Sequence, residues 1–176
     1  MPLIEYFVIN TVRLETKEND PEQLAWLEKA LAASRARWRI VFGHHPLYST
    51  GAKHGSNIDV RRRVEPVLLG AGGEPRVDVV LAGHDHIYQR WHPQKGIAFF
   101  VCGSSGKLRR GDARPSAQVA AVEDQLRSFM LWEATPEELR FRAINERGEA
   151  YDCGTLRRTG EVEASACPAD LGAGRP

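Results

Sequence analysis

Two short apolar runs that each stop at a glycine and then turn into histidine constrain this chain more than any other feature. Arg39 to Phe42 breaks at Gly43 into His44-His45-Pro46, and Val77 to Ala82 stops at Gly83 before His84-Asp85-His86. Short apolar runs rich in β-branched residues suit strands buried on both faces, as in parallel sheets. Between them, Asn57 to Leu69 carries Val60, Val64, Val67 and Leu68 near helical spacing, with Pro66 expected to kink the helix or limit its first turns. Strand, helix, strand with polar residues just past the strand ends predicts an α/β sheet whose chemical groups gather at one edge.

The flanking segments extend that pattern. Leu3 to Ile9 predicts a largely buried strand, and Asp20 as N-cap with Pro21 opens a helix to about Ser34, with Leu24, Leu27 and Leu31 on one face. After His86 the texture changes to short apolar pieces, Ile87 to Trp91, Ile97 to Cys102, Ser128 to Trp132 and Leu139 to Ile144, separated by turn residues such as Pro93 and Arg147-Gly148. These predict antiparallel strands. Gly103 to Val122 is expected to be a long polar loop. Residues 1–158 are expected to form one domain and residues 159–176, with their Ala, Gly and Pro, a flexible tail.

The charge balance removes some function classes. Twenty-four basic against 23 acidic residues leave a formal net charge of +1, so no broad field points to nucleic acid or an anionic membrane, and an anionic substrate has to be caught locally. No run of eighteen apolar residues occurs, and Met1 to Asn10 has neither a basic leader nor a small-residue cleavage site, so the chain is expected to be soluble with its compartment left open. Cys102, Cys153 and Cys167 are too few and too scattered for a disulfide framework; a Cys153–Cys167 bridge is the alternative for an oxidising compartment.

Five of the six histidines fall at or beside strand ends: His44, His45, His54, His84 and His86. In His84-Asp85-His86, histidines two apart on an extended segment project to the same side, so two imidazoles can reach neighbouring metal ions. Metals about 3.5–4 Å apart form the clamp used in phosphoester cleavage. An isolated His-X-His is as often a solvated loop; here it is joined by a second histidine turn.

Val41-Phe42-Gly43-His44-His45-Pro46-Leu47-Tyr48-Ser49 and Val80-Leu81-Ala82-Gly83-His84-Asp85-His86 together resemble the last two sequence blocks of calcineurin-like metallophosphoesterases, particularly the purple acid phosphatases. Gln23 to Leu27 is similar to the helix those enzymes carry before the first block, and the resemblance runs from about residue 4 to residue 157. It implies an α/β/β/α sandwich, of which this chain resembles the carboxyl-terminal half, with a mixed sheet becoming antiparallel near the carboxyl terminus. It also implies hydrolysis of phosphate mono- or diesters by hydroxide attack at a binuclear centre of divalent or trivalent iron, manganese or zinc. By the same resemblance, His44 and His84 ligate the second metal, His86 ligates the first, and His54 protonates the leaving oxygen or contacts phosphate. His45 falls where the family accepts other residues and is expected to be structural or to support a ligand. Asp85 is expected to point away from the ligands and either to support them from behind or to be exposed, like Lys53. His92 and Arg61-Arg62-Arg63 are expected to be solvated surface, and Ser104 to Gly106 a turn at the rim.

Three neutral imidazoles cannot offset two cations, so a binuclear centre needs carboxylates, usually one of them bridging. The family's aspartate, Gly-Asp and Gly-Asn-His blocks have no counterpart here. The leading expectation is therefore a truncated, weakly active or inactive part of a phosphoesterase, with an unpaired sheet edge that favours self-association. A non-catalytic binding domain that keeps the fold ranks second, and a mononuclear hydrolase using His44, His84 and His86 third.

Overall fold

The computed structural model describes residues 1–16 and 20–168. Its first sheet has six strands: β1 (Ile4–Val8), β2 (Trp38–Gly43), β3 (Val79–Ala82), β4 (Tyr88–Trp91), β5 (Ala98–Cys102) and β6 (Val119–Glu123), in the order β1-β2-β3-β5-β4-β6. β1, β2, β3 and β5 run parallel, whereas β4 is antiparallel to both of its neighbours. The second sheet is antiparallel, with β7 (Ser128–Ala134), β8 (Glu138–Asn145), β9 (Ala150–Arg157) and β10 (Val162–Ser165) in the order β10-β9-β8-β7.

The central strands read as continuous apolar runs because both faces are covered. Val41, Val80 and Phe99 face one core cluster, which also receives the helices, while Ile40, Val79 and Phe100 face a second cluster shared with Leu139, Phe141 and Leu156 of the other sheet. This is the period-two alternation of a strand between two layers. α1 (Thr11–Glu15), α2 (Pro21–Ala33) and α3 (Ile58–Leu68) put Leu14, Leu27 and Leu31, and Val60, Val64 and Leu68, into the first cluster. The described residues thus show helix, sheet and sheet as three layers of the expected sandwich.

Local chemistry sets the helix starts. The Asp20 side chain accepts from the Gln23 amide at 3.2 Å, and the Asn57 side chain from the Val60 amide at 3.0 Å. Pro66 does not end α3, which runs to Leu68. The residue four positions before it, Arg62, lies on the exposed face, where water can take the carbonyl that proline leaves unpaired.

Several expectations are corrected. β1 is an edge strand with Tyr6 and Val8 exposed, so it is buried on the helix side only. The loop predicted from Gly103 to Val122 ends early, because Val119 onward pairs with β4 as β6. Part of the stretch expected as a tail forms β10 on β9, and Cys153 is bonded to Cys167 at its end; residues 169–176 lie outside the described residues. No described helix is long and apolar enough to cross a membrane.

Candidate metal centre

Strand register brings the two histidine turns together. Phe42 pairs with Leu81 and Gly43 with Ala82, so the chain leaves β2 and β3 at the same level, and the Gly83 amide donates to the His44 carbonyl at 3.1 Å. Beyond those ends His84 Nδ1 lies 3.0 Å from His44 Nε2, and the His84 ring centroid is 4.5 Å from that of His45 and 4.2 Å from that of His54. His84 adopts φ of 65°, a left-handed conformation that a non-glycine residue keeps only where its surroundings enforce it.

Asp85 supplies much of that enforcement. Its carboxylate is fully buried and accepts from the Ser49 hydroxyl, which in turn accepts from the Gly51 amide at 3.0 Å. A Cβ at Gly51 would stand 2.4 Å from the Asp85 carboxyl carbon, and one at Gly103 would stand 2.1 Å from the Asp85 carbonyl oxygen. Both sites therefore require glycine. Gln89 and Thr50 close the same contact, with Gln89 Oε1 accepting from the Thr50 amide at 3.0 Å. The loop from Ser49 to Gly55, which carries His54, is thereby tied to the His84 turn. Of the two places expected for Asp85, supporting or exposed, the structure shows it buried, with its carboxylate on the Ser49 hydroxyl.

Burial favours the neutral form of His84, His45 and His86. Desolvation, followed by the neighbouring His45, His54 and His44, lowers His84 to about 4. Desolvation also lowers His45, against the opposing pull of Glu15, and lowers His86, helped by Lys107 and Arg109. Neutral imidazoles offer nitrogen lone pairs to a cation.

Among the described residues, His44, His45 and His84 present ligand atoms that all lie within 4.8 Å of one another. This set fits one first-row cation. The His54 ring lies tilted against that of His84 from an exposed position. His86 lies outside this close set, with Nδ1 buried and without a hydrogen-bond partner. His45, expected to play a supporting part, stands inside the set: its amide donates to Thr11 Oγ1 at 2.9 Å, and its Nδ1 contacts the same oxygen at 3.1 Å.

Sequence reasoning missed Glu15. It ends α1, whose Asn10 cap and Arg63 contact to the Leu14 carbonyl hold it over the histidines. Glu15 Oε1 accepts from Asn57 Nδ2 at 2.8 Å, and Oε2 lies 3.4 Å from His45 Nε2. With Lys53, His54, Ser56, Asn57 and His84, Glu15 lines a cleft of about 330 Å³. No motif marked it, because a five-residue helix has too little periodicity to detect. Arg63 is accordingly not solvated surface, and Arg61 lies over the Tyr48 ring at 4.7 Å. Ser104 is likewise buried, 3.0 Å from the Ser128 hydroxyl, not on the rim, whereas His92 is exposed as expected.

Residues 2–88, which contain every histidine of this site, match the family model described as calcineurin-like phosphoesterase. Residues 2–88 of the chain belong to the calcineurin-like phosphoesterase family. It is similar to purple acid phosphatase 17 of Arabidopsis thaliana, 38% identical over 90 residues, which cover 51% of this chain and 25% of that protein. It is also similar to human tartrate-resistant acid phosphatase type 5, 29% identical over 136 residues, covering 73% of this chain and 40% of the human protein. The chain thus spans less than half the length of these two relatives. Among solved structures, the Plasmodium protein described as GAP50, the anchor in the inner membrane complex, superposes with a TM-score of 0.73 at 22% identity, over 88% of this chain and 49% of that one. That likeness supports the fold alone.

Proposed function

We propose that this chain furnishes the histidine side of a metal-dependent centre that hydrolyses phosphate esters. The observation that carries the reading is the convergence of His44 and His84 at the adjoining ends of β2 and β3, 3.0 Å apart, within the segment that matches the family. Bound metal would supply Lewis acidity and an activated water. His44 and His84 would hold one ion and His86 the other, with iron, manganese and zinc all suited to imidazole and carboxylate donors.

His54 reaches the cleft from the loop tied down by Ser49 and Asp85, where it can donate a proton to the leaving oxygen or hydrogen-bond a phosphate oxygen. Lys53, beside it in the cleft, adds positive charge for an anionic ester. Two cations need more negative charge than Glu15 provides, so full activity requires carboxylates from the further length present in the relatives, and this chain alone turns over weakly.

The test compares hydrolysis of 4-nitrophenyl phosphate, with added Mn²⁺, Zn²⁺ or Fe²⁺, by this chain alone and by this chain joined to the part of a purple acid phosphatase that it lacks. Turnover should appear on joining and fall at least a hundredfold in His84→Ala. A joined, folded, metal-loaded protein without turnover, or one indifferent to His84→Ala, contradicts the proposal. Across a series of esters, His54→Ala should slow poor leaving groups more than activated aryl phosphates, and an equal loss would assign His54 to phosphate binding.

A further inference from the structure

We propose that Lys107 and Arg109 form an anion subsite beside His86 that takes a second phosphate group of the substrate. Compounds carrying more than one phosphate, such as nucleoside di- and triphosphates, are then the substrate class. The inference rests on the phosphoesterase reading above, and its two residues lie outside the segment that matches the family.

The placement comes from the backbone. Past the end of β5 the chain turns at Ser104 to Gly106 and then runs along both loops of the site. The Arg109 amide donates to the His86 carbonyl at 3.0 Å, the Lys53 amide to the Asp112 side chain at 3.2 Å, and the Arg114 amide to the Thr50 carbonyl at 3.0 Å. Gly51 and Ala113 form a bridge between the same segments. Residues 109–114 are therefore joined at one end to the His86 turn and at the other to the loop that carries Lys53 and His54.

Charge decides what that stretch can do. After desolvation, Lys107 and then Arg109 act most strongly on the His86 imidazole, and both disfavour its protonation, with Asp85 opposing them least. Such influence falls with distance, so both cations stand near the ring. Neither is answered within the protein. Arg109 Nη1 is buried without a hydrogen-bond partner, and among the described residues no ion pair includes Lys107 or Arg109. Arg110, by contrast, donates to the Gln125 carbonyl at 3.1 Å. An unpaired buried guanidinium nitrogen is costly, and phosphate oxygens suit both its fork and a neighbouring ammonium. The transferred phosphate has His54 and Lys53 in a cleft that Lys107 and Arg109 do not line, which leaves this pair for a second phosphate.

The test is calorimetric titration of the full, metal-free chain with inorganic pyrophosphate and, separately, with inorganic phosphate. Pyrophosphate should bind about tenfold more tightly than phosphate, because it offers a second anionic group to the site. Lys107→Gln should weaken pyrophosphate about threefold and Arg109→Gln about tenfold, while Arg110→Gln, which removes the same charge from the same stretch, stays within about twofold of the parent. Lys107 is exposed, so its substitution leaves folding intact and carries the test where Arg109→Gln does not fold. Lys107→Gln binding pyrophosphate like the parent, an equal loss in Arg110→Gln, or equal affinities for pyrophosphate and phosphate would each overturn the subsite. No metal enters the titration, so turnover of 4-nitrophenyl phosphate by the joined protein remains a separate test, and the proposed function can stand where the subsite fails.

Discussion

Between the two sheets, buried charge is fully paired. Asp152 on β9 accepts from the Tyr88 hydroxyl at 2.7 Å and from Arg90 Nε and Nη2 at 2.8 and 2.9 Å, so the ion pair that crosses from one layer to the other is answered on both sides. At the ends of β2 and β3 the opposite holds: three imidazoles crowd together, and Asp85 Oδ1 and His86 Nδ1 are buried without partners. A network satisfied internally fixes layers, whereas one left open internally is available to a ligand. The same chain thus separates a region that holds the fold from a region that can do chemistry.

The largest effect should come from the paired region. Asp152→Ala strands a buried guanidinium and should cost about 3–5 kcal/mol in urea denaturation; a loss below about 1 kcal/mol would show that the network does not join the layers. Next is Cys153→Ser, which opens a crosslink between residues 14 apart in sequence and should cost about 2–4 kcal/mol, with faster amide exchange confined to β10. Unchanged stability would remove the disulfide from the account.

Smaller effects belong to the open region. Asp85→Ala removes the acceptor for Ser49 and should cost about 1–3 kcal/mol while speeding exchange at the Gly51 amide. Exchange as slow as in the parent would mean that the His54 loop is held by other contacts. A further effect is in pH. His84 titrates near 4 in the fold and near 6.5 when unfolded, so between those values the unfolded chain binds a proton that the folded chain excludes. Its contribution to stability is therefore complete above pH 6.5 and is lost as pH falls toward 4. Asp85, raised by burial, acts in the opposite sense at the acid end. The melting temperature of the metal-free chain should drop over that window, and His84→Gln should flatten the drop.

Much of this was legible in the residues. The strand-to-glycine-to-histidine breaks located β2, β3 and both turns, because a buried strand shows itself as a short apolar run whatever its partners. What escaped depends on distance in sequence. Glu15 faces His45 across 30 positions, Ser49 meets Asp85 across 36, and Asn57 binds Glu15 across 42. β6 was hidden because Val119-Ala120-Ala121-Val122 is strand-like only once β4 lies beside it. The place of the His45 ring depends on Thr11, 34 positions away, a contact that no motif marks.

The central claim is that a cation is held at the adjoining ends of β2 and β3. A crystal structure of the chain grown with Zn²⁺, using anomalous scattering at the zinc edge, tests it most directly. The account predicts a peak about 2.0–2.1 Å from nitrogens of both His44 and His84. A zinc peak elsewhere on the chain, with those two rings still hydrogen-bonded to each other, would contradict it.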